Sequence, residues 1–301
     1  YLGAALAVLP STVAHRPDPW ALRRGVGRLA VAVVVGGAIG PVLLALGLQH
    51  ASAANASLLL NLELVFTVVL AAVVFREHIG RRVAAGTVLV ALAGVIVAGP
   101  GATDGLRLGA LLIAAACVCW AIDNSVTAAL DELAPAHITF AKGLLAGSAN
   151  TVIGLAAAPV PPAQVVAAAL VIGALGYGLS ITLWVAGARD LGAARAQVVF
   201  ASAPFLGVLV AWGALAEPVE PPTLVALAVA VVGVALVIRS DHGHEHQHPP
   251  TRHDHEHVHD DGHHDHVHED GFTGRHQHPH DHVLVRHSHP HVPDLHHRHE
   301  H

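Results

Sequence analysis

The 301-residue sequence has no methionine, only two cysteines and few charged residues. Charged side chains make up 13% of the chain, against about 25% in average soluble proteins, and 53% of the residues are hydrophobic. The composition therefore argues against an ordinary soluble domain. A chain that begins at Tyr1 and has no methionine is expected to be a fragment or a processed product. No charged segment precedes the first apolar stretch, so no signal peptide is predicted.

Disulfide frameworks and catalytic motifs are missing too. Cys117 and Cys119 are two residues apart, and such residues do not share a helix face, so they are interpreted as small apolar fillers. The apolar part has no nucleotide-binding motif, no nucleophile–base pair and no closed metal site. The chain is therefore not expected to be an enzyme.

Charge divides the chain into two parts. Residues 1–239 hold 12 Lys/Arg and 10 Asp/Glu, whereas residues 240–301 hold 4 Arg and 12 Asp/Glu, which together give the net charge of −6. This change in composition predicts a boundary near residue 239.

Long apolar runs fill the first part. About 20 apolar helical residues cross the ~30 Å hydrocarbon core of a bilayer. Eight runs approach that length, at roughly 29–48, 52–75, 83–99, 108–128, 136–158, 164–187, 193–215 and 222–238, and residues 1–9 look like the end of a ninth. Backbone groups in lipid must be hydrogen-bonded within the segment, and the alternating pattern of a barrel is absent. The fold class is therefore predicted to be an all-α polytopic membrane protein.

Arginines in the loops predict the orientation. If the spans alternate, only Arg107 lies on one side of the membrane. The other side holds Arg16, Arg23, Arg24, Arg28, Arg76, Arg81, Arg82, Arg189 and Arg239. That basic side, with the C-terminal tail, is expected to be cytoplasmic, in the cytoplasmic (inner) membrane of a bacterial-type cell.

Part of the chain repeats after 140 residues. With this shift Gly47 aligns with Gly187, and Ala53 and Ala54 align with Ala193 and Ala194. Glu77 aligns with Glu217. Five spans separate the copies, and this odd number predicts that the second copy is inverted in the membrane. Inverted repeats with a site at their interface are typical of secondary transporters.

The repeated segments resemble EamA domains of the drug/metabolite transporter (DMT) superfamily. The first reads AANASLLLNLELVFTVVLAAVVFREHIGRRVAAGTVLVALAGVIV, and the second reads GYGLSITLWVAGARDLGAARAQVVFASAPFLGVLVAWGALAEPV. The resemblance implies ten helices in two inverted halves, with both termini cytoplasmic, and hence that helix one and most of helix two are missing here. Leu64 stands where the second copy has Pro204, which leaves a kink in the first half in doubt. The predicted domains are a first repeat at 1–99, a second at 100–239 and a tail at 240–301.

Ionisable residues within a bilayer are costly and are often functional. Glu63 lies near the middle of its span, where it is either a proton-coupling or cation-binding carboxylate, or a structural partner for a neighbouring helix. Asp123 and Lys142 lie near the cytoplasmic ends of consecutive antiparallel spans. They are predicted to form an ion pair that either lines the cytoplasmic half of a cavity or only fastens the two helices together.

Several other residues have two interpretations. Tyr177 and Trp184 are seven apart on one helix and either line a substrate cavity or pack. Arg195 near the start of its helix either contacts substrate or extends to water. Glu77 and Glu217 end equivalent helices on opposite sides and are predicted to be interfacial caps or gate-stabilising charges.

Small residues and one proline mark the helix contacts. Residues four apart, as in Gly36/Gly40 and Gly176/Ser180, predict close approach of helix backbones in lipid. Pro41 is expected to kink its helix or to be accommodated by neighbouring helices.

Histidine is concentrated in the tail, where 23 of the 27 histidines lie, mostly as His-x-His. Neutral imidazole suits Ni, Zn, Co and Cu, but no fixed four-ligand spacing selects one of them. With few apolar residues, the tail is predicted to be disordered without metal; pH sensing is an alternative role. The predicted metal ligands are His242, His244, His246, His248, His253, His255, His257, His259, His263, His264, His266, His268, His276, His278, His280 and His282.

Together these features predict a secondary transporter that works by alternating access and needs no cofactor for transport. Its expected cargo is either a small metabolite or drug, for which the tail would be a regulator, or a divalent transition metal, which the tail would collect. A membrane-anchored metal sensor or store that transports nothing is the alternative. The expected partners are the lipid bilayer, the small-molecule or metal-ion substrate and a second copy in a homodimer; no nucleic acid is expected.

Overall fold

The structure is a computed structural model. It describes residues 1–15, 17, 19–74, 79–99, 101–128, 130, 133–180, 183 and 203–238, and the backbone of 245–248, 252–257, 276–281 and 285–288. The predictions for Glu77, Trp184 and Arg195 lie outside the described residues, as do those for the tail histidines that these ranges do not include.

Helices make up the described membrane part. In chain order they are α1 (Leu2–Ala14), α2 (Pro19–Val31), α3 (Gly40–Leu48), α4 (Ala53–Leu60), α5 (Leu62–Val73), α6 (Arg81–Ala98), α7 (Asp104–Ala128), α8 (Pro135–Ala141), α9 (Gly147–Ala157), α10 (Ala163–Gly173), α11 (Ala203–Gly213) and α12 (Pro221–Ile238). Three π-helical segments occur within them: π1 (Ala32–Ile39) joins α2 to α3, π2 (Lys142–Ala146) joins α8 to α9, and π3 (Ala174–Leu179) follows α10.

Six of the described helical stretches are long and apolar enough to cross a membrane. They are Leu22–Leu48, Ala53–Val73, Arg81–Ala98, Asp104–Thr127, Pro135–Ala157 and Pro221–Ile238. Shorter apolar helices at Ala163–Leu179 and Ala203–Gly213 cover the described parts of two more predicted spans. Large apolar side chains such as Val73, Leu111 and Ile172 are about 70% exposed, which suits a lipid environment. The predicted polytopic all-α fold is confirmed.

Helices α6 and α12 occupy equivalent positions in the repeat and pack against each other. Both have 18 residues, and their bounds differ by 140. Gly86, near the start of α6, meets Gly233, near the end of α12, so the two helices run antiparallel. A Cβ on Gly233 would lie 2.8 Å from the carbonyl oxygen of Gly86, so this contact requires a residue without a side chain.

The tail contains four short strands, β1 (Glu245–His248), β2 (Arg252–His257), β3 (His276–Asp281) and β4 (Val285–Ser288). β1 pairs with β4 and β2 with β3, both antiparallel, in a unit of its own at Asp241–Val292. The prediction that the tail is disordered without metal stays a prediction.

Candidate functional site

The predicted ion pair is present at the contact of α7 with π2. The Lys142 ammonium donates to one carboxylate oxygen of Asp123, and both side chains are buried, with 7% and 4% of their surfaces exposed. The Thr127 hydroxyl donates to the other carboxylate oxygen over 3.1 Å. Both oxygens of Asp123 are thus occupied by donors, which is what a carboxylate requires away from water.

Aromatic rings adjoin this pair. The Lys142 ammonium lies 5.9 Å from the centre of the Tyr177 ring, within the range of a cation–π contact. The Tyr1 ring lies 4.5 Å from that of Tyr177, with the planes inclined at 43°. Tyr177 thus lies beside the ion pair, and both of its interpretations, lining a substrate cavity and packing, stay predictions.

Pro41 lies two residues after the π1 segment. Gly40 donates its N–H to the carbonyl of Val35, five residues earlier, but Pro41 has no N–H to offer the next carbonyl, that of Gly36. Side chains from other helices replace it. The Tyr1 hydroxyl and the Trp120 indole N–H donate to the Gly36 oxygen over 3.0 and 3.2 Å. The expected accommodation of Pro41 by neighbouring helices is confirmed.

The next carbonyl of π1 also has a side-chain donor. Asn150 in α9 donates its amide N–H to the Gly37 oxygen over 3.2 Å. The Asn150 Oδ1 atom is buried without a hydrogen-bond partner. Helices α1, α7 and α9 are therefore all attached to the carbonyls of one interrupted helix.

The repeat places a second interruption at the equivalent position. A shift of 140 residues carries Gly36 onto Gly176 in π3 and Gly40 onto Ser180. The Ser180 hydroxyl donates to the Gly176 oxygen over 2.7 Å, so a side chain serves this carbonyl as well. Interrupted helices at corresponding positions of two halves are a feature of transporter binding sites.

Glu63 lies at a break in the predicted span 52–75. α4 ends at Leu60, Asn61 is a turn, and α5 starts at Leu62, so Glu63 occupies the first turn of the second half-helix. The Asn124 side chain donates to its carboxylate over 2.7 Å. Asn124, the residue next to Asp123, is therefore a partner of the kind that the structural interpretation of Glu63 requires.

Glu217 is the predicted interfacial cap. Its two carboxylate oxygens accept the backbone N–H groups of Ala53 and Ala54 over 2.7 and 2.9 Å. These are the first residues of α4, where the helix dipole favours a negative charge. Glu217 of the second predicted repeat is therefore bound to Ala53 and Ala54 of the first, and all three residues are among those that align in the repeat.

Sequence reasoning missed the π segments and the side-chain donors to the carbonyls of Gly36 and Gly37. Tyr1, Trp120 and Asn150 come from three different helices, and no local pattern brings them together. The sequence did contain a signal for the π segments. Gly36/Gly40 and Gly176/Ser180 have the same four-residue spacing and lie 140 residues apart, and Pro41 follows Gly40.

In the part of the chain whose side chains are described, no group of three or more His, Cys, Asp or Glu residues comes together to hold a metal ion. The two acidic groups near the π segments are already engaged, Asp123 by Lys142 and Glu63 by Asn124. The site instead holds a buried positive group, a buried negative group and aromatic rings.

Comparison with known proteins decides the family. The EamA-like transporter family matches residues 1–99 and 107–239. The chain belongs to the EamA-like transporter family. The predicted resemblance is thereby confirmed, and members of this family are transporters rather than enzymes.

Among the relatives of this EamA-like chain is an uncharacterized transporter from Methanothermobacter thermautotrophicus, 26% identical over 207 residues. The match covers 66% of this chain and 60% of that relative, so the chain spans less than two thirds of the relative's length. A solved crystal structure has a similar fold, with a TM-score of 0.52 at 18% identity, covering 78% of this chain and 84% of that one. At that identity the likeness concerns the fold alone.

Proposed function

We propose that this EamA-like chain is the membrane part of a secondary transporter that exports a small charged organic molecule by alternating access. The observation that carries the proposal is the buried Asp123–Lys142 pair beside interrupted helices at repeat-equivalent positions. A charge pair within the bilayer is costly, and ionisable residues there are by default candidates for a functional site.

The substrate class follows from the same contacts. A molecule with an anionic group competes with Asp123 for the Lys142 ammonium. A molecule with a cationic group competes with Lys142 for the Asp123 carboxylate. A divalent metal ion at the carboxylate would meet the Lys142 ammonium, which repels it. The metal-export alternative therefore has less support from the membrane part than the organic substrate has.

The histidine-rich tail is proposed to bind Ni, Zn, Co or Cu on the cytoplasmic side of the inner membrane. Its support is the density of His-x-His and the suitability of imidazole for these ions. For an organic cargo the tail regulates the transporter, and for a metal cargo it collects the ion. A sensor or store without transport is the remaining alternative.

The test compares cells that express the full chain, an Asp123→Asn variant, a Glu63→Gln variant and a chain that ends at Arg239. Asp104→Asn serves as a control, because Asp104 and its partner Arg107 form an exposed pair. Cellular Ni, Co, Zn and Cu are measured by mass spectrometry together with small metabolites. We expect a metabolite to fall with the full chain and the control, and to recover with Asp123→Asn.

The other outcomes decide among the alternatives. A metal that falls with the full chain and recovers with Glu63→Gln makes metal the cargo and overturns the organic substrate. A metal that rises only when the tail is present indicates storage. No change in any metabolite or metal between the full chain and the Asp123→Asn variant would contradict transport.

A further inference from the structure

The turn between α11 and α12 joins the second predicted repeat to the first. Glu217 in this turn accepts the backbone N–H groups of Ala53 and Ala54 at the start of α4. The Thr223 hydroxyl, in the first turn of α12, donates to Asn55 Oδ1 over 2.9 Å, and both side chains are buried. These hydrogen bonds therefore connect the start of α4 to the start of α12.

Helix α12 is held differently at its two ends. Near its end, Gly233 packs against Gly86 of α6, backbone against backbone. At its start, hydrogen bonds from Glu217 and Thr223 reach α4. Glu217 is only partly buried, so water can replace its carboxylate on the N–H groups, whereas separating the two glycines would open a void. The start of α12 can therefore be released while its end stays packed.

The residue before Glu217 has an unusual backbone conformation. Ala216 has a φ of 52° and is the one non-glycine residue with a positive φ among those that the structure describes. The left-handed region costs a residue with a Cβ free energy that it does not cost glycine. The Glu217 N–H donates to the Ala211 carbonyl over 3.0 Å, which closes the end of α11 around Ala216. Strain of this kind persists where surrounding contacts hold it, and it is typical of switch regions.

We propose that this turn is a latch, formed by Ala216 and by Glu217 with the N–H groups of Ala53 and Ala54. It holds the side of the transporter opposite to the arginine-rich loops closed in the described state, and it is released when that side opens. Release exchanges the bonds of Glu217 for bonds to water and relieves the conformation of Ala216. The inference rests on the proposed transport by alternating access, in which each side opens in turn.

The parts of the latch predict shifts in opposite directions. Glu217→Ala removes the acceptor of the two α4 N–H groups and favours the open state. Thr223→Val keeps the shape of its side chain but leaves Asn55 Oδ1 without its donor, and it also favours the open state. Ala216→Gly keeps every hydrogen bond and removes the cost of the left-handed conformation, so it favours the closed state.

The experiment measures the distance between two spin labels by electron paramagnetic resonance, on the full chain reconstituted in liposomes. The labels are attached to Gln49→Cys, before α4, and to Val219→Cys, before α12, both at exposed positions. The background carries Cys117→Ser and Cys119→Ser. We expect Glu217→Ala to raise the ratio of long to short distances at least about fivefold, because loss of a helix cap changes an equilibrium by about that factor.

Two further comparisons separate release of the latch from general damage to the fold. Ala216→Gly is added to Thr223→Val, whose larger open fraction makes a decrease measurable, and should shorten the distances again. This pair of variants retains Glu217, so the test does not depend on the folding of Glu217→Ala. Asp104→Asn removes an exposed carboxylate on the same side of the predicted topology and should leave the distances unchanged.

Unchanged distances in Glu217→Ala would overturn the latch. It would be overturned as well if Ala216→Gly lengthened the distances of Thr223→Val, because the turn would then not be strained in the closed state. Since the readout is a distance and not export, either result leaves the transport proposal standing.

Discussion

Asp123 lies among apolar helices with each carboxylate oxygen bound by a donor, Lys142 on one and Thr127 on the other. Such a pair contributes little net stability, since desolvation of the two charges offsets their attraction. Removing one partner is different, because the remaining charge stays buried without compensation. At the scale of single residues, the two partners therefore depend on each other more than the fold depends on the pair.

We expect Lys142→Ala to lower the free energy of unfolding by about 3–5 kcal/mol, because Asp123 loses its counter-charge. The double variant Lys142→Ala with Asp123→Asn should recover most of that loss while transport stays abolished. The measurement is thermal unfolding in detergent beside a transport assay. Arg107→Ala removes an exposed ion pair and should leave unfolding unchanged. A double variant that transports normally would contradict the role of the pair.

Gly36 and Gly176 occupy equivalent positions but have different surroundings. A Cβ on Gly36 would overlap the Asp123 carboxylate, whereas a Cβ on Gly176 would meet nothing within 4 Å. We expect Gly36→Ala to displace the Asp123–Lys142 pair and abolish transport, and Gly176→Ala to be tolerated. Transport assays on the two variants, at matched amounts in the membrane, check this. Normal transport by Gly36→Ala would show that Asp123 can move without consequence.

At the scale of elements, several described helices are linked through backbone groups that are not hydrogen-bonded within their own helix. π1 lacks the donor that Pro41 would have supplied, and side chains of α1, α7 and α9 reach its carbonyls. The start of α4 has free N–H groups, and Glu217 binds two of them. In lipid no water replaces such donors and acceptors, so at π1 and at the start of α4 the partner comes from another helix.

Asn150→Leu removes the donor to the Gly37 carbonyl, which we expect to lower the free energy of unfolding by about 1–3 kcal/mol. Pro41→Ala supplies a backbone N–H that pairs with Gly36 in the π register and with Gly37, four residues before it, in an α-helical register. The double variant should therefore regain stability relative to Asn150→Leu alone. Thermal unfolding of the three variants measures the rescue. If Pro41→Ala fails to rescue Asn150→Leu, the missing proline N–H is not the reason why Asn150 is bound there.

Glu217→Ala should lower the free energy of unfolding by about 1–2 kcal/mol, the usual range for loss of an N-cap. Glu217→Gln retains one acceptor and should lose less. Arg107→Ala, which removes only an exposed ion pair, is the control and should behave as the parent. Hydrogen exchange of the Ala53 and Ala54 amides should rise in Glu217→Ala and stay unchanged in the control. Unchanged exchange in Glu217→Ala would contradict the cap.

At the scale of the whole molecule, the sequence predicted the features that depend on apolar length or on spans that follow each other in the chain. The helices follow from apolar length, and the Asp123–Lys142 pair follows because consecutive spans are antiparallel neighbours. The contacts of Tyr1, Trp120 and Asn150 with π1 join helices distant in sequence, and their register is set by packing that composition does not encode. The proposed domain bounds remain a prediction.

Orientation is the remaining whole-molecule prediction, and one helix can test it. The loop residues Ala134 and Val160 flank the span Pro135–Ala157, and both are exposed. The arginine distribution puts Ala134 on the cytoplasmic side and Val160 on the opposite side. In a background with Cys117→Ser and Cys119→Ser, a membrane-impermeant maleimide should label Val160→Cys in intact cells. Ala134→Cys should react only after permeabilisation. The reverse pattern would place the histidine-rich tail outside the cytoplasm, because an even number of predicted spans separates residue 134 from the tail, and the tail then could not collect or sense cytoplasmic metal.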